Sequence, residues 1–349
     1  MKVVEYGPDC ISIITTYRCT AECKECCFEC GPHVLGRISN EQIRNAIDQA
    51  IEMESVKFIV WTGGECTMLG DDLVKGIQYA TDCGLPSRIV SNGGWARTDK
   101  MAQEFLKKLI NAGLVELNIS TGDNHQQFVK PDTAIRAAVT GAQMGISSVI
   151  SVEKTNEAKF NPEDIQTNKI YKRFLSEGRN VDKFQVINPV WVSFHRDTKY
   201  GYKDNELDNP ELRKGCDNIY TFIGVNPSGN YIGCCGLTMR YIPSMNLGSV
   251  DKISMKKAYD DQYHDFIKRW IFTEGALKIL EQAKLWDEDI KIPRFPHNCL
   301  YCAYMYHDKK VQKVIMDNYR KVEDRINSEF ESKIEWFKVR ADKNILQLG

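Results

Sequence analysis

Between residues 11 and 190, short β-branched apolar runs alternate with longer segments of helical period, and this alternation restricts the fold more than any other property of the chain. Ile11–Thr15, Val56–Trp61, Ser87–Ser91, Val115–Ser120, Ser147–Val152 and Lys183–Val190 read as strands. Between them Asn40–Met53, Asp71–Cys83, Asp99–Ala112, Thr133–Met144 and Asn168–Glu177 read as helices. Several open on Ser, Thr or Asp caps and close near Gly84, Gly113, Gly145 and Gly178. Six strands with five intervening helices predict an α/β fold in which a parallel sheet curls into a partial (β/α)6 TIM-like barrel. At 349 residues the chain exceeds one ordinary domain, so we expect the barrel over 1–195 and a second, smaller domain over 196–349.

After about residue 195 the alternation stops. Residues 196–214 are charged and broken by Gly201, Asn205 and Pro210, which predicts a linker or a substrate-facing loop. A hairpin follows (Thr221–Val225, a turn at Pro227-Ser228-Gly229-Asn230, then Tyr231–Gly233), and then a helical stretch. In the last helix Ile315, Tyr319, Val322, Ile326, Phe330, Ile334 and Phe337 recur every three or four residues, a stripe expected to pack against the barrel.

In barrels of this kind chemistry collects at the carboxyl ends of the strands. Cys19, Cys23 and Cys26 follow the first strand, Thr62-Gly63-Gly64-Glu65 the second, and Ser91-Asn92-Gly93 ends the third. Ser120-Thr121-Gly122-Asp123 ends the fourth, and Glu153 follows the fifth. A 4Fe–4S cluster normally takes four cysteines, so a compact group of three suggests an iron left open for a small molecule. Zinc is the alternative, but it usually wants two Cys-x-x-Cys-like pairs or added histidines, and the nearest histidine, His33, stands at no convincing spacing. The thirteen cysteines accompany no export signal and no apolar window long enough to span a membrane. A cytoplasmic protein using thiols for metal or redox chemistry is the expectation. A net charge of -1 gives no global reason to propose nucleic acid as a partner.

The triplet, with Gly63-Gly64-Glu65 after the second strand, resembles the radical S-adenosylmethionine (SAM) superfamily over roughly residues 10–190. The resemblance implies SAM on the open iron, with Gly63, Gly64 and Glu65 at its methionine ammonium and Ser91, Asn92 and Ser120 at its ribose or carboxylate. It implies a 5'-deoxyadenosyl radical as the reactive species and an electron donor such as flavodoxin or ferredoxin as a partner. In the second half, Cys216, Gly229, Cys234, Cys299 and Cys302 resemble the twitch domain, the shorter relative of the SPASM domain, with four cysteines holding an auxiliary 4Fe–4S cluster. Two clusters are therefore expected, with a structural zinc site as the alternative for the second.

Cys10, Cys27, Cys30, Cys66, Cys83 and Cys235 remain. Cys10 and Cys83 read as small apolar fillers, and Cys66 as a neighbour of the cofactor with no role from position alone. Cys26-Cys27-Phe28-Glu29-Cys30-Gly31-Pro32, Ser91 to Trp95, Ile119 to Val129 and the doubled Cys234-Cys235 resemble the epipeptide epimerase family, which converts L- to D-residues in a ribosomally made peptide. Carried over, Cys235 is the thiol that returns hydrogen to a Cα radical, unless it is an alternate ligand beside Cys234. Two positions depart from that family: its Asp after the fourth strand falls on Gly122, with Asp123 displaced by one, and Gly233 replaces a Pro. No separate peptide-recognition domain is visible before the barrel, so leader binding is expected from the loop at 196–214 or from the C-terminal region. The same machinery could instead end in oxidation, as a cyclophane or thioether cross-link or the dehydrogenation of a small alcohol. A non-enzymatic iron–sulfur or zinc protein is the alternative from another class.

Overall fold

The structure, a computed structural model, describes residues 7–194 and 204–346. Nine strands form one sheet: β1 (Cys10–Ile14), β2 (Phe58–Thr62), β3 (Ser87–Ser91), β4 (Leu114–Thr121), β5 (Ser147–Val152), β6 (Phe184–Ile187), β7 (Phe222–Val225), β8 (Asn230–Ile232) and β9 (Asn246–Ser249). Their order is β6-β5-β4-β3-β2-β1-β7-β8-β9, and β1 to β6 run parallel. This is the parallel sheet of a partial barrel. A parallel sheet needs cover on its faces, and the crossover helices supply it. Helix Asn40–Glu52 buries Ile43, Ala46, Ile47 and Ala50, the three-and-four spacing of one face, and Ser39 closes a capping box with Gln42 at its start.

The strand and helix expectations hold to within a few residues at each end. β6 is shorter than its sequence suggests, ending at Ile187, because only Ser148–Ser151 of β5 offer it partners. The expected hairpin forms as β7 and β8, but it does not stand apart from the barrel. β7 pairs in parallel with β1, from Cys10 opposite Phe222 to Ile13 opposite Val225, so the sheet continues past its first strand into the second half of the chain. β8 and β9 then add antiparallel.

The C-terminal residues build a second apolar cluster on helices Met255–Tyr263, Phe266–Thr273, Ala276–Trp286, Asn298–His307, Lys309–Asn318 and Glu323–Leu346. Tyr220 sits at its centre, with ring centroids 5.0 Å from Phe272 and 5.4 Å from Phe330. The expected single last helix is two, divided by a tight turn at Tyr319–Lys321. Its stripe packs on this second cluster rather than on the barrel: Ile315, Ile326, Phe330 and Ile334 are all buried there. Residues 196–203 of the expected linker or substrate-facing loop lie outside the described residues. Among the described residues no helix is long and apolar enough to cross a membrane.

Candidate active site

The loop carrying Cys19, Cys23 and Cys26 leaves β1 and folds back on itself. Cys19 N donates to Gly31 O (3.1 Å), Gly31 N to Tyr17 O (3.3 Å) and Tyr17 N to Gly36 O (3.0 Å). The loop after β2 lies directly against its first residues: Gly64 N donates to Thr16 O (2.6 Å) and Glu65 N to Arg18 O (2.9 Å). This contact explains the glycine pair. A Cβ on Gly63 would stand 2.7 Å from Thr16 O, and one on Gly64 2.3 Å from Arg18 O, in each case against backbone that cannot yield.

Glu65 is 1% exposed, and four donors hold its carboxylate in place. It accepts from Thr67 N (3.2 Å), Thr67 Oγ1 (2.6 Å), Ser91 Oγ (2.9 Å) and Asn92 N (2.8 Å). Burial pushes its carboxyl above the ordinary value, and these donors oppose the shift. Asn92, fixed in this way, donates from Nδ2 to Thr20 Oγ1 (3.0 Å) and toward Cys19 Sγ (3.6 Å). Cys19, Glu65, Ser91 and Asn92 are thus brought into one hydrogen-bonded group.

The three thiols of the triplet lie within one another's fields. Burial pushes Cys19 and Cys23 up to about 12. Cys26 is held at about 6, chiefly because the Cys30 thiol hydrogen-bonds to it. Three thiols on one loop, which a bound cluster would hold deprotonated, are a donor set suited to iron–sulfur ligation. Cys66 donates to Val90 O (3.4 Å) and is wholly buried, a packing role.

Ser120 lies elsewhere, on a cavity of about 240 Å³ whose wall includes Cys27, Thr121, Glu153, Trp191 and His297. Glu153 is 3% exposed, accepting from the Asn124 amide and meeting His125 Nδ1 at 3.2 Å. A Cβ on Gly122 would come within 2.0 Å of Glu153 Cγ, so the Glu153 side chain occupies the space that an Asp at 122 would need. Asp123 instead accepts from the Lys159 and Phe160 amides, tying down the loop after β5. Gly233 donates its N–H to Met245 O (2.8 Å), a bond that Pro could not make. Sequence reasoning gave no part to Thr121, whose buried hydroxyl has no partner, or to His297. His297 Nδ1 accepts from Cys299 N (3.1 Å), which leaves the ring proton on Nε2, and burial lowers its pKa.

The cysteines of the second half of the chain converge. Cys216, Cys234, Cys235, Cys299 and Cys302 line one enclosed cavity of about 40 Å³. Cys234 is held at about 6, first by a hydrogen bond from the Cys235 thiol, whereas Cys235 is pushed well above its ordinary value by that contact and by burial. All thirteen cysteines are free. Among the described residues no three His, Cys, Asp or Glu side chains close to the spacing of a single metal ion. The thiols around an iron–sulfur cluster stand further apart, since each meets a different iron, and both cysteine groups suit that donor set.

Residues 13–140, with this triplet and the Gly63-Gly64-Glu65 loop, match the model of the radical SAM superfamily. The chain carries a radical SAM domain. The family implies SAM and one 4Fe–4S cluster as cofactors. The chain is similar over 120 residues to the Bacillus subtilis (strain 168) peptide biosynthesis protein YydG, at 28% identity; the match spans 34% of this chain and 38% of YydG. In fold the chain resembles Streptococcus suis SuiB, with a TM-score of 0.54 at 16% identity over 75% of this chain and 68% of that one. It also resembles anSMEcpe, solved with bound AdoMet and the Cp18Cys peptide, with a TM-score of 0.51 at 15% identity over 91% of this chain and 99% of that one. At these identities the likeness is one of fold, and it extends beyond the barrel.

Proposed function

We propose that this chain is a radical SAM enzyme that inverts an L-residue of a ribosomally made peptide to its D form. In this reading Cys19, Cys23 and Cys26 hold the first 4Fe–4S cluster, and Gly63, Gly64, Glu65, Ser91 and Asn92 contact SAM, with Ser120 set on the other cavity. Cys216, Cys234, Cys299 and Cys302 hold a second cluster, and flavodoxin or ferredoxin is the electron donor. With SAM and the first cluster bound, the site supplies a 5'-deoxyadenosyl radical able to take a Cα hydrogen.

The observation that carries the reading is the fifth cysteine of the enclosed cavity, Cys235. Four thiols complete a cluster, and the fifth is held protonated by its contact with Cys234 and by burial. A protonated thiol is the form that gives up a hydrogen atom. Its S–H bond breaks as the new Cα–H bond forms, leaving a thiyl radical that one electron and one proton restore. YydG, described as a peptide biosynthesis protein, and anSMEcpe, solved with a peptide, support a peptide as the substrate class.

The test is turnover in heavy water with a short precursor peptide encoded beside the gene. Epimerisation adds one deuterium to the product, and Cys235→Ala keeps SAM cleavage while losing the D-residue. Retention of epimerisation in that variant refutes the role of Cys235. A second reading rests on the same contact. If Cys235 is drawn into the ligand set and no free thiol reaches the substrate radical, that radical instead passes one electron to the second cluster and releases a proton, so the peptide or a small alcohol loses two hydrogens and gains no deuterium. Failure of the reduced, reconstituted protein to cleave SAM returns the chain to a non-enzymatic iron–sulfur role.

A further inference from the structure

Lys268 stands on helix Phe266–Thr273 in the middle of the aromatic C-terminal cluster, and its side chain is only 3% exposed. Its ion-pair partner is Asp265, 3.7 Å away and itself 35% exposed, a long contact for so deep a charge. An ammonium withdrawn from water costs several kcal/mol unless negative charge stands nearby. The surrounding side chains on its own helix, Phe266, Ile267, Trp270, Ile271 and Phe272, supply none.

The same helix is a wall of the cavity lined by five cysteines. Ile271 lines that cavity and its carbonyl accepts from Cys216 N (2.9 Å). Lys268 lies one turn earlier on the same face, three residues from Ile271. Burial draws its ammonium below the ordinary lysine value, while Asp265 and Cys234 hold it up. Asp265 and Cys234 are therefore the groups that offset the apolar core around it. A cluster bound through four cysteinates carries net negative charge and gains one unit more on reduction, so a fixed cation beside it favours the reduced form.

We propose that Lys268 is a buried counter-charge to the second cysteine group that raises the reduction potential of the cluster held there. The inference rests on the reading of Cys216, Cys234, Cys299 and Cys302 as cluster ligands. It gives the C-terminal half a part in setting whether that cluster can accept an electron.

The experiment uses the full-length chain carrying Cys19→Ala, so that the signal comes from the second group alone. Reconstituted protein is assayed for iron and sulfide and titrated redox-potentiometrically by electron paramagnetic resonance, with Lys268→Met and Lys268→Arg compared. Met keeps the apolar stem and removes the charge, and is expected to lower the midpoint by at least a tenfold change in the reduction equilibrium, about 59 mV for one electron. Arg keeps the charge and is expected to stay near the parent. Lys268→Gln serves the same comparison if the Met variant does not fold. A full complement of iron with an unmoved midpoint in both neutral variants overturns the role of Lys268. Absence of a cluster from the Cys19→Ala parent overturns the ligand assignment itself, and the iron content separates the two failures.

Discussion

Replacing Gly64 by Ala tests whether the contact between the loop after β2 and the cysteine loop organises the site. The added Cβ would lie 2.3 Å from Arg18 O and 2.7 Å from Arg18 C. Ordinary contact requires the two strands of backbone to part by about 1 Å. That separation breaks the bonds from Gly64 N to Thr16 O and from Glu65 N to Arg18 O. Two lost hydrogen bonds at about 1 kcal/mol each, with at least ~1 kcal/mol of residual crowding, give a destabilisation of about 3 kcal/mol. In urea, with a slope of ~3 kcal/mol/M, the unfolding midpoint should fall by about 1 M.

The assay is anaerobic urea unfolding of the metal-free chain, followed by tryptophan fluorescence. Gly84→Ala is the control, because Gly84 has a φ of 84° but no atom within 4 Å of an added Cβ. It carries only the left-handed strain, about 1 kcal/mol. A Gly64→Ala midpoint no lower than that of Gly84→Ala would refute the argument. It would mean that the loops are not pressed together as described.

Gly122→Asp should drive Glu153 out of its cavity, since the new Cβ would stand 2.0 Å from Glu153 Cγ; peptide turnover should fall while SAM cleavage without peptide continues, as read by liquid chromatography of both reactions. Phe330→Ala, at a position 1% exposed among Tyr220, Tyr263 and Phe272, should cost about 3–5 kcal/mol and lower the thermal midpoint of the far-ultraviolet signal. Cys19→Ala should abolish SAM cleavage while leaving the far-ultraviolet spectrum of the metal-free protein unchanged. A variant that still produces 5'-deoxyadenosine would remove Cys19 from the ligand set.

The barrel was legible because its signals are local. β3 and β5 have the bounds that their β-branched runs predict, and helix Asn40–Glu52 begins at the Ser39 cap. Pairing across some two hundred residues leaves no such mark: nothing in Phe222–Val225 says that its neighbour is Cys10–Ile13. The break at Tyr319–Lys321 was hidden because the apolar spacing runs through it unchanged. At the site, residue types and order along the chain brought out both cysteine groups and the Glu65, Ser91 and Asn92 cluster. They could not show that Ser120 faces a different cavity from Glu65, since the two sit at the ends of β4 and β2, with β3 between them. Thr121 and His297 drew no attention because their meaning lies in which wall they complete. Lys268 carried a faint signal, one of two adjacent charges, with Arg269, inside Phe-Ile-Lys-Arg-Trp-Ile-Phe, whose apolar residues foretold that part of the helix would be buried.

The pairing of β7 with β1 also orders events during synthesis. β1 leaves the ribosome well before β7, and one of its two edges has no partner until residues beyond 220 have been made. Over that interval the nascent barrel presents an open, largely apolar edge strand, the kind of surface that recruits chaperones or pairs with other chains. A chain cut at 195 would stay in that condition permanently. Soluble expression of the N-terminal portion alone should therefore be poor, and the cysteine loop that hangs from β1 reaches its final setting only after the second half has arrived.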